Sequence, residues 1–226
     1  YKDLYNDALT ILHGLAHNGL KLGDKVIFQI GRNQDFIPAL WACFLGGIIP
    51  APLTVAPNYD LENAAAKKLY NVWQILDKPI ILSDCELVGE IEKFANQSHL
   101  EGLRVLSIDD LRSNQHLSNP ESAAIPQFAP QAPALLLFTS GSTGLPKGVM
   151  LHHRNLLSMS AGTVRMNNFT QAEVTLNWMP LDHVGAIVFL GIMAVDLACN
   201  QIHVPIELIL RQPLKWLGLI QKHQVT

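Results

Sequence analysis

Apolar and polar positions alternate between two spacings along this chain, and the alternation lays out its elements. Over residues 1–19, Leu4, Ala8, Leu12 and Leu15 recur at helical spacing, and Gly19 is placed to end the helix. A turn at 21–24 leads into a short apolar strand at 26–30. Residues 35–46 read as a buried helix, in which Pro38 is tolerable only within the first turn. An extended stretch with two prolines follows at 48–53. Residues 61–76 form an amphipathic helix with Lys67 and Lys68 on its wet face. A strand at 79–82, a helix at 86–95 and a strand at 104–108 continue the pattern. Such alternation predicts an α/β fold with a mostly parallel sheet. Residues 114–133 carry four prolines, and Leu117, Ile125 and Phe128 are their main large apolar side chains, which predicts a surface connection.

The densest chemistry follows that connection. Ala134-Leu135-Leu136-Leu137-Phe138 reads as a short buried strand, and Val149-Met150-Leu151 as another. Between them, Thr139-Ser140-Gly141-Ser142-Thr143-Gly144-Leu145-Pro146-Lys147-Gly148 holds four hydroxyls, three glycines and one lysine. Glycines let the backbone come close to a ligand, and successive N–H groups in such turns make an anion-binding concavity. Hydroxyls add donors, Lys147 adds a mobile positive charge, and Pro146 stiffens the chain before it. The combination suits a polyphosphate. It is not a P-loop of the G-x-x-x-x-G-K-[ST] type. Counting from Gly141, the sixth position is Pro146, Lys147 precedes Gly148 rather than a hydroxyl, and a strand rather than a helix follows. A Gly/Ser linker is disfavoured because buried strands flank the segment.

The string from Phe138 to Val149 resembles the phosphate-loop signature of the adenylate-forming superfamily. That superfamily comprises acyl-CoA synthetases, luciferases and the adenylation domains of assembly-line synthetases. Gly23-Asp24-Lys25-Val26 and Phe44-Leu45-Gly46-Gly47-Ile48-Ile49-Pro50-Ala51-Pro52-Leu53 are similar to its N-terminal core, where the glycine pair turns a helix into a strand. The resemblance covers residues 1–226. It implies a layered αβαβα architecture with mostly parallel sheets, of which this chain is the N-terminal portion of the large domain. The family's downstream Thr-Glu element, ribose-binding aspartate and C-terminal lysine have no counterpart here, which implies a fragment inactive by itself. ATP and Mg2+ are the implied cofactors. The implied nucleotide-binding residues are Thr139, Ser140, Gly141, Ser142, Thr143, Gly144 and Lys147.

Composition narrows the remaining classes. A net charge of −3 without a basic cluster argues against nucleic acid and anionic membrane as partners. At 226 residues, nearly half of them apolar, the chain is long enough for one large or two small domains. Cys43, Cys85 and Cys199 show no disulfide or metal spacing, which fits a reducing, cytoplasmic setting with each cysteine a small core residue. The apolar run 184–195 stops at Asp196, too short to span a bilayer. His152 and His153 begin a helix that runs to about Asn167. Adjacent histidines suggest metal, but no cysteine or carboxylate stands at ligand spacing, so no metal site is expected. The superfamily usually places a capping Ser or Thr where His152 stands.

A second group lies in Leu176-Asn177-Trp178-Met179-Pro180-Leu181-Asp182-His183-Val184-Gly185-Ala186, read as a strand, a turn and a helix start. It resembles the family's Pro-Leu-x-His-x-x-Gly element, in which the histidine lies beside the acyl-adenylate. The resemblance therefore makes Lys147 and His183 catalytic and His183, Val184 and Gly185 substrate-binding. Gly185 admits a ligand, and Ile187, Val188 and Phe189 are candidates to wall an apolar pocket. Asp182 is expected to cap the following helix. Amino-acid-activating members typically carry an aromatic-Asp pair here, whereas this chain has His183-Val184, which argues against an α-amino acid. The strings 69–76 (LYNVWQIL) and 211–217 (RQPLKWL) are similar to fatty acyl-AMP ligases and to loading adenylation domains of polyketide and nonribosomal-peptide assembly lines. The reaction implied is activation of a fatty or aryl-type carboxylic acid as acyl-AMP. Its acceptor would be a thiol of CoA or of a phosphopantetheinyl carrier protein. The alternative is a non-catalytic nucleotide-binding or carrier-docking module of the same fold.

Overall fold

Four short apolar runs, each too short for a helix and each followed by one, fold as a parallel sheet. The computed structural model describes residues 1–113, 125–139 and 146–226. Most of the expected connection (114–124) and the centre of the hydroxyl-rich loop (140–145) lie outside the described residues. The chain divides into two units, Lys2–His152 and His153–Thr226 together with Tyr1.

The first unit opens with α1 (Lys2–His17), followed by β1 (Lys25–Gln29), α2 (Asn33–Gly46), β2 (Ile49–Pro52) and α3 (Ala64–Ile75). β3 (Ile80–Ser83), α4 (Cys85–Gln97), β4 (Val105–Ser107) and α5 (Ile108–Ser113) complete the alternation. The four strands are parallel in the order β2-β1-β3-β4. Helix-linked parallel strands are covered on both faces, which is why Val26, Ile27 and Phe28 of β1 are all fully buried rather than alternating. Gly47 ends α2 with φ +62, and a side chain there would collide with Leu22 and press on Phe128. The left-handed backbone is what favours glycine here, since the Leu22 tip is an exposed, movable group.

The strand order reverses between β1 and β3, and such a switch point is where doubly wound sheets ordinarily open a ligand crevice. Here an ion-pair web fills it. The Asp84 carboxylate accepts the Gly31 amide at 2.6 Å. Arg32 reaches Asp109 at 2.6 Å, Glu86 at 3.3 Å and Asp35 at 2.5 Å. Asp35 is buried at 1% exposure and is also paired with Arg112, which grips both oxygens of Asp7 at 2.8 and 2.7 Å. Pro38 is the sixth residue of α2, beyond the first turn where the sequence reading placed it. Its ring leaves the Gln34 carbonyl without the usual helical N–H. Arg112 Nη2 donates to that carbonyl at 3.2 Å, which is how the position is tolerated.

β5 (Pro133–Thr139) and β6 (Lys147–His152) form a separate antiparallel pair. Leu136 and Phe138 of β5 belong to one apolar cluster with Leu69, Val72 and Trp73 of α3 and Ile91 and Phe94 of α4. In the second unit, α6 (His153–Asn167) precedes β7 (Val174–Asn177), a π-helix (Gly185–Ile192) and α7 (Met193–Asp196). β8 (Asn200–His203), α8 (Ile206–Arg211) and α9 (Leu214–His223) follow, with β7 and β8 parallel and Asn177 opposite His203. His203 Nε2 donates to Gln201 Oε1 at 2.6 Å, and burial pushes its pKa down to about 4. Among the described residues no helix is long and apolar enough to cross a membrane.

Two predictions follow from these buried charges and polar groups. Asp35→Asn leaves two arginines without their shared carboxylate, and both are partly solvated, so the expected loss is about 2 kcal/mol in urea unfolding. An unchanged midpoint would contradict the shared-carboxylate account. For His203, the unfolded chain takes up a proton near pH 6.5 that the folded chain refuses until about 4. Stability present above that window is therefore lost as pH falls through it. His203→Gln should flatten the urea midpoint between those pH values, and an equally steep profile in the variant would refute the assignment.

Candidate active site

The chain's local sequence brings the two ends of the hydroxyl-rich loop together. In the antiparallel pair Phe138 stands opposite Gly148 and Thr139 opposite Lys147. Thr139 is the last residue of β5 and Lys147 the first of β6, and both are exposed. Their side chains thus leave the sheet at one rung, beside a loop whose residues Ser140, Gly141, Ser142, Thr143 and Gly144 lie outside the described residues. Gly148 packs closely against Phe138. A Cβ there would stand 3.2 and 3.3 Å from the Phe138 ring, tighter than ordinary contact. Lys147 forms no ion pair among the described residues, so its charge is not committed to a described carboxylate.

One residue the sequence reading set aside reaches this rung. Lys67 is exposed as expected, but Lys68 is half-buried and its ammonium donates to the Phe138 carbonyl at 2.8 Å. The helical period put both lysines on the wet face of α3; the partner, 70 residues away in sequence, gives no local signal.

His183, Val184 and Gly185 belong to the second unit and follow β7 through a tight turn. The Asn177 side-chain oxygen accepts the Met179 amide at 2.9 Å, and its carbonyl accepts the Val204 amide at 2.8 Å, which fixes where that turn starts. His183 is exposed, and its Nδ1 accepts the Gly185 amide at 3.3 Å. In the neutral ring this leaves the proton on Nε2, which becomes the outward donor.

The helix that begins here is a π-helix rather than the α-helix the pattern predicts, and π-turns are rare and concentrated at functional sites. Its boundary residue is Val184, not Asp182 as expected from capping preference. The i→i+5 winding brings residues five apart onto one face. Val184 and Phe189 are both 37% exposed, while Ala186, Ile187 and Val188 are buried. The expected pocket wall is therefore split, with Ile187 and Val188 in the core and Phe189 at the surface. Phe189 lines a cavity of about 350 Å³ with Leu176, Leu190, Met193 and Leu197, in which His183 and Val184 take no part.

The remaining candidates resolve as follows. His152 ends β6 and His153 begins α6, and burial pulls the His153 pKa down. No group of three potential metal-ligating side chains occurs among the described residues. Cys43 and Cys199 are buried, but Cys85 is exposed, against the expectation of a core role. Hydrogen bonds to Asp109 and Glu86 push its thiol up to about 11, which keeps it protonated and a poor nucleophile.

Comparison with known proteins agrees with this layout. The family model described as "AMP-binding enzyme" matches residues 1–226. The chain is 32% identical over 220 residues to the nonribosomal peptide synthetase ucdA of Aspergillus ustus, covering 97% of this chain and 22% of that protein. Among solved structures, McyG A-PCP complexed with phenylalanyl-adenylate is 71% identical, with a TM-score of 0.95, covering 100% of this chain and 35% of that one. The adenylation domain of a keto acid-selecting NRPS module, bound to a keto acyl adenylate, is 38% identical, with a TM-score of 0.91, covering 100% of this chain and 40% of that one. The chain spans 22% of the first curated relative and 38% of the second. The match runs over the whole chain, through the β5–β6 rung and the His183 turn alike, and the chain belongs to the AMP-binding enzyme family, within the adenylate-forming superfamily.

Proposed function

We propose that the full-length protein activates an aryl-type carboxylic acid as its acyl-AMP and hands the acyl group to a carrier-protein thiol. The observation that carries this reading is the rung at which Thr139 and Lys147 leave the β5–β6 pair together. ATP is consumed as a substrate: the acid's carboxylate attacks its α-phosphorus and pyrophosphate leaves. The acid supplies the nucleophile, so the protein's share is orientation and charge neutralisation. Lys147 and the hydroxyls of Thr139, Ser140, Ser142 and Thr143 hold the β- and γ-phosphates. Mg2+, carried in with the nucleotide, would share that negative charge.

His183 offers its Nε2 proton to the acid's carboxylate, an orientation its Nδ1 bond to the Gly185 amide favours. Val184 stands where amino-acid-activating relatives hold a substrate ammonium with aspartate, so no charge here selects an α-amino group. This tolerance accords with relatives solved with a phenylalanyl-adenylate and with a keto acyl adenylate, one bearing an amino group and the other a carbonyl. The aryl preference and the carrier acceptor rest on the likeness to the A-PCP protein, and a fatty acid or CoA is the competing assignment within the same chemistry.

The test is carboxylate-dependent ATP–pyrophosphate exchange by the full-length protein across aryl, fatty and α-amino acids. Exchange is expected to be strongest with an aryl acid and to change little with its α-substituent. Lys147→Ala should slow it by roughly a hundredfold with an unchanged melting temperature. Exchange confined to fatty acids would overturn the substrate assignment, and unaltered exchange by the variant would remove Lys147 from the phosphate site.

A further inference from the structure

We propose that Lys68 is a positioning residue for nucleotide binding, a second cation that fixes the end of β5 and with it the Thr139–Lys147 rung. The proposal rests on the adenylation reading above and adds to it a residue outside the phosphate loop. Its ammonium donates to the carbonyl of Phe138, one residue before the loop, at 2.8 Å. Hydrogen bonds from an ionised donor are shorter and stronger than neutral ones, and this one ends on the carbonyl that precedes Thr139.

The helix that delivers Lys68 is held at both ends. Asn63 caps α3, its side-chain oxygen accepting the amides of Ala65 at 2.8 Å and Ala66 at 3.4 Å. Trp73 near the other end is 1% exposed and donates its indole N–H to the Pro79 carbonyl at 3.0 Å. Between these anchors, Leu69, Val72 and Trp73 share an apolar cluster with Leu136 and Phe138. The Lys68 stem therefore starts from a fixed backbone and ends on a strand that the same helix packs against. The Phe138 residue is gripped on both sides, its ring against Gly148 and the α3 cluster, its carbonyl by Lys68.

A neutral donor would also satisfy the carbonyl, through a weaker bond. A lysine adds a full positive charge on the strand end that faces Lys147 across the ladder. That charge lowers the cost of bringing a polyphosphate to this end of the sheet, and it acts on nucleotide rather than on acid. Because the cation is partly withdrawn from water, salt screens it less than a surface lysine. The structure thus separates two contributions, one geometric, from the hydrogen bond, and one electrostatic, from the charge.

Three variants in the full-length protein separate them: Lys68→Met keeps the stem and removes both, Lys68→Gln keeps a neutral donor, and Lys68→Arg keeps the cation. Exchange kinetics give KM for ATP and for the acid, and calorimetric titration with ATP alone gives affinity without turnover. Lys68→Met should raise KM and Kd for ATP roughly tenfold, leave KM for the acid within about twofold, and keep the protein folded. Lys68→Arg should recover most of the loss and Lys68→Gln little. If KM for ATP and for the acid shift together, or all three variants lose affinity only as far as they lose melting temperature, the lysine is structural and the proposal fails. A wild-type protein that binds ATP but exchanges with no acid would overturn the adenylation reading, while the calorimetric comparison would still decide Lys68.

Discussion

Where β5 ends governs how this molecule presents its polar chemistry. Phe138, one residue before the end of β5, is held by its neighbours: its ring packs closely over Gly148, and its carbonyl receives an ammonium from α3. With Phe138 held, the antiparallel register places Thr139 opposite Lys147. The apolar burial of Leu136 and Phe138 and the exposure of Lys147 are thus two consequences of one register.

The ion pairs at the end of the parallel sheet argue against a phosphate site at its own switch point. The crevice between β1 and β3 is available by topology, but its mouth is occupied by Arg32 and Arg112 with the carboxylates of Asp35, Asp84 and Asp109. Both guanidinium groups there are already ion-paired with carboxylates, and burial pushes the Asp84 carboxyl upward in pKa while Asp109 is pulled down. An incoming phosphate would have to displace a buried carboxylate from a guanidinium, which leaves that carboxylate unpaired in a poorly hydrated place. The sheet serves as a platform that locks helix ends, including α2 across its internal Pro38.

Much of this was legible in the sequence because it is local. The alternation of strands and helices over residues 25–113 follows from apolar period, and the loop follows from glycine and hydroxyl density between two apolar runs. What escaped is what depends on partners distant in the chain. Lys68 has an ordinary wet-face position on α3, and nothing in its neighbours points to a carbonyl 70 residues on. Pro38 looks confined to a first turn until Arg112 supplies the missing donor to Gln34. The π-helix escaped for a different reason: over eight residues, apolar on every side, periodicity carries no phase, so Ile187, Val188 and Phe189 could not be sorted into core and surface.

The sorting that the π-winding imposes bears on selectivity. With Ile187 and Val188 committed to the core, the side chains left on the exposed face of this helix are Val184 and Phe189, and the adjoining polar group is the Nε2 donor of His183. On the proposed reading, such a surface offers a carboxylate a neutral hydrogen bond and the rest of the acid apolar groups. It contains no carboxylate at the position where an ammonium would be bound, so an α-amino group gains nothing from it and an α-keto group loses nothing. Selectivity then depends on the shape and apolar area of the acid's side chain, terms that scale with burial rather than with charge. On this reading the charges assigned to the nucleotide, Lys147 and Lys68, belong to the first unit, and the exposed side chains of this helix, Val184 and Phe189, carry none.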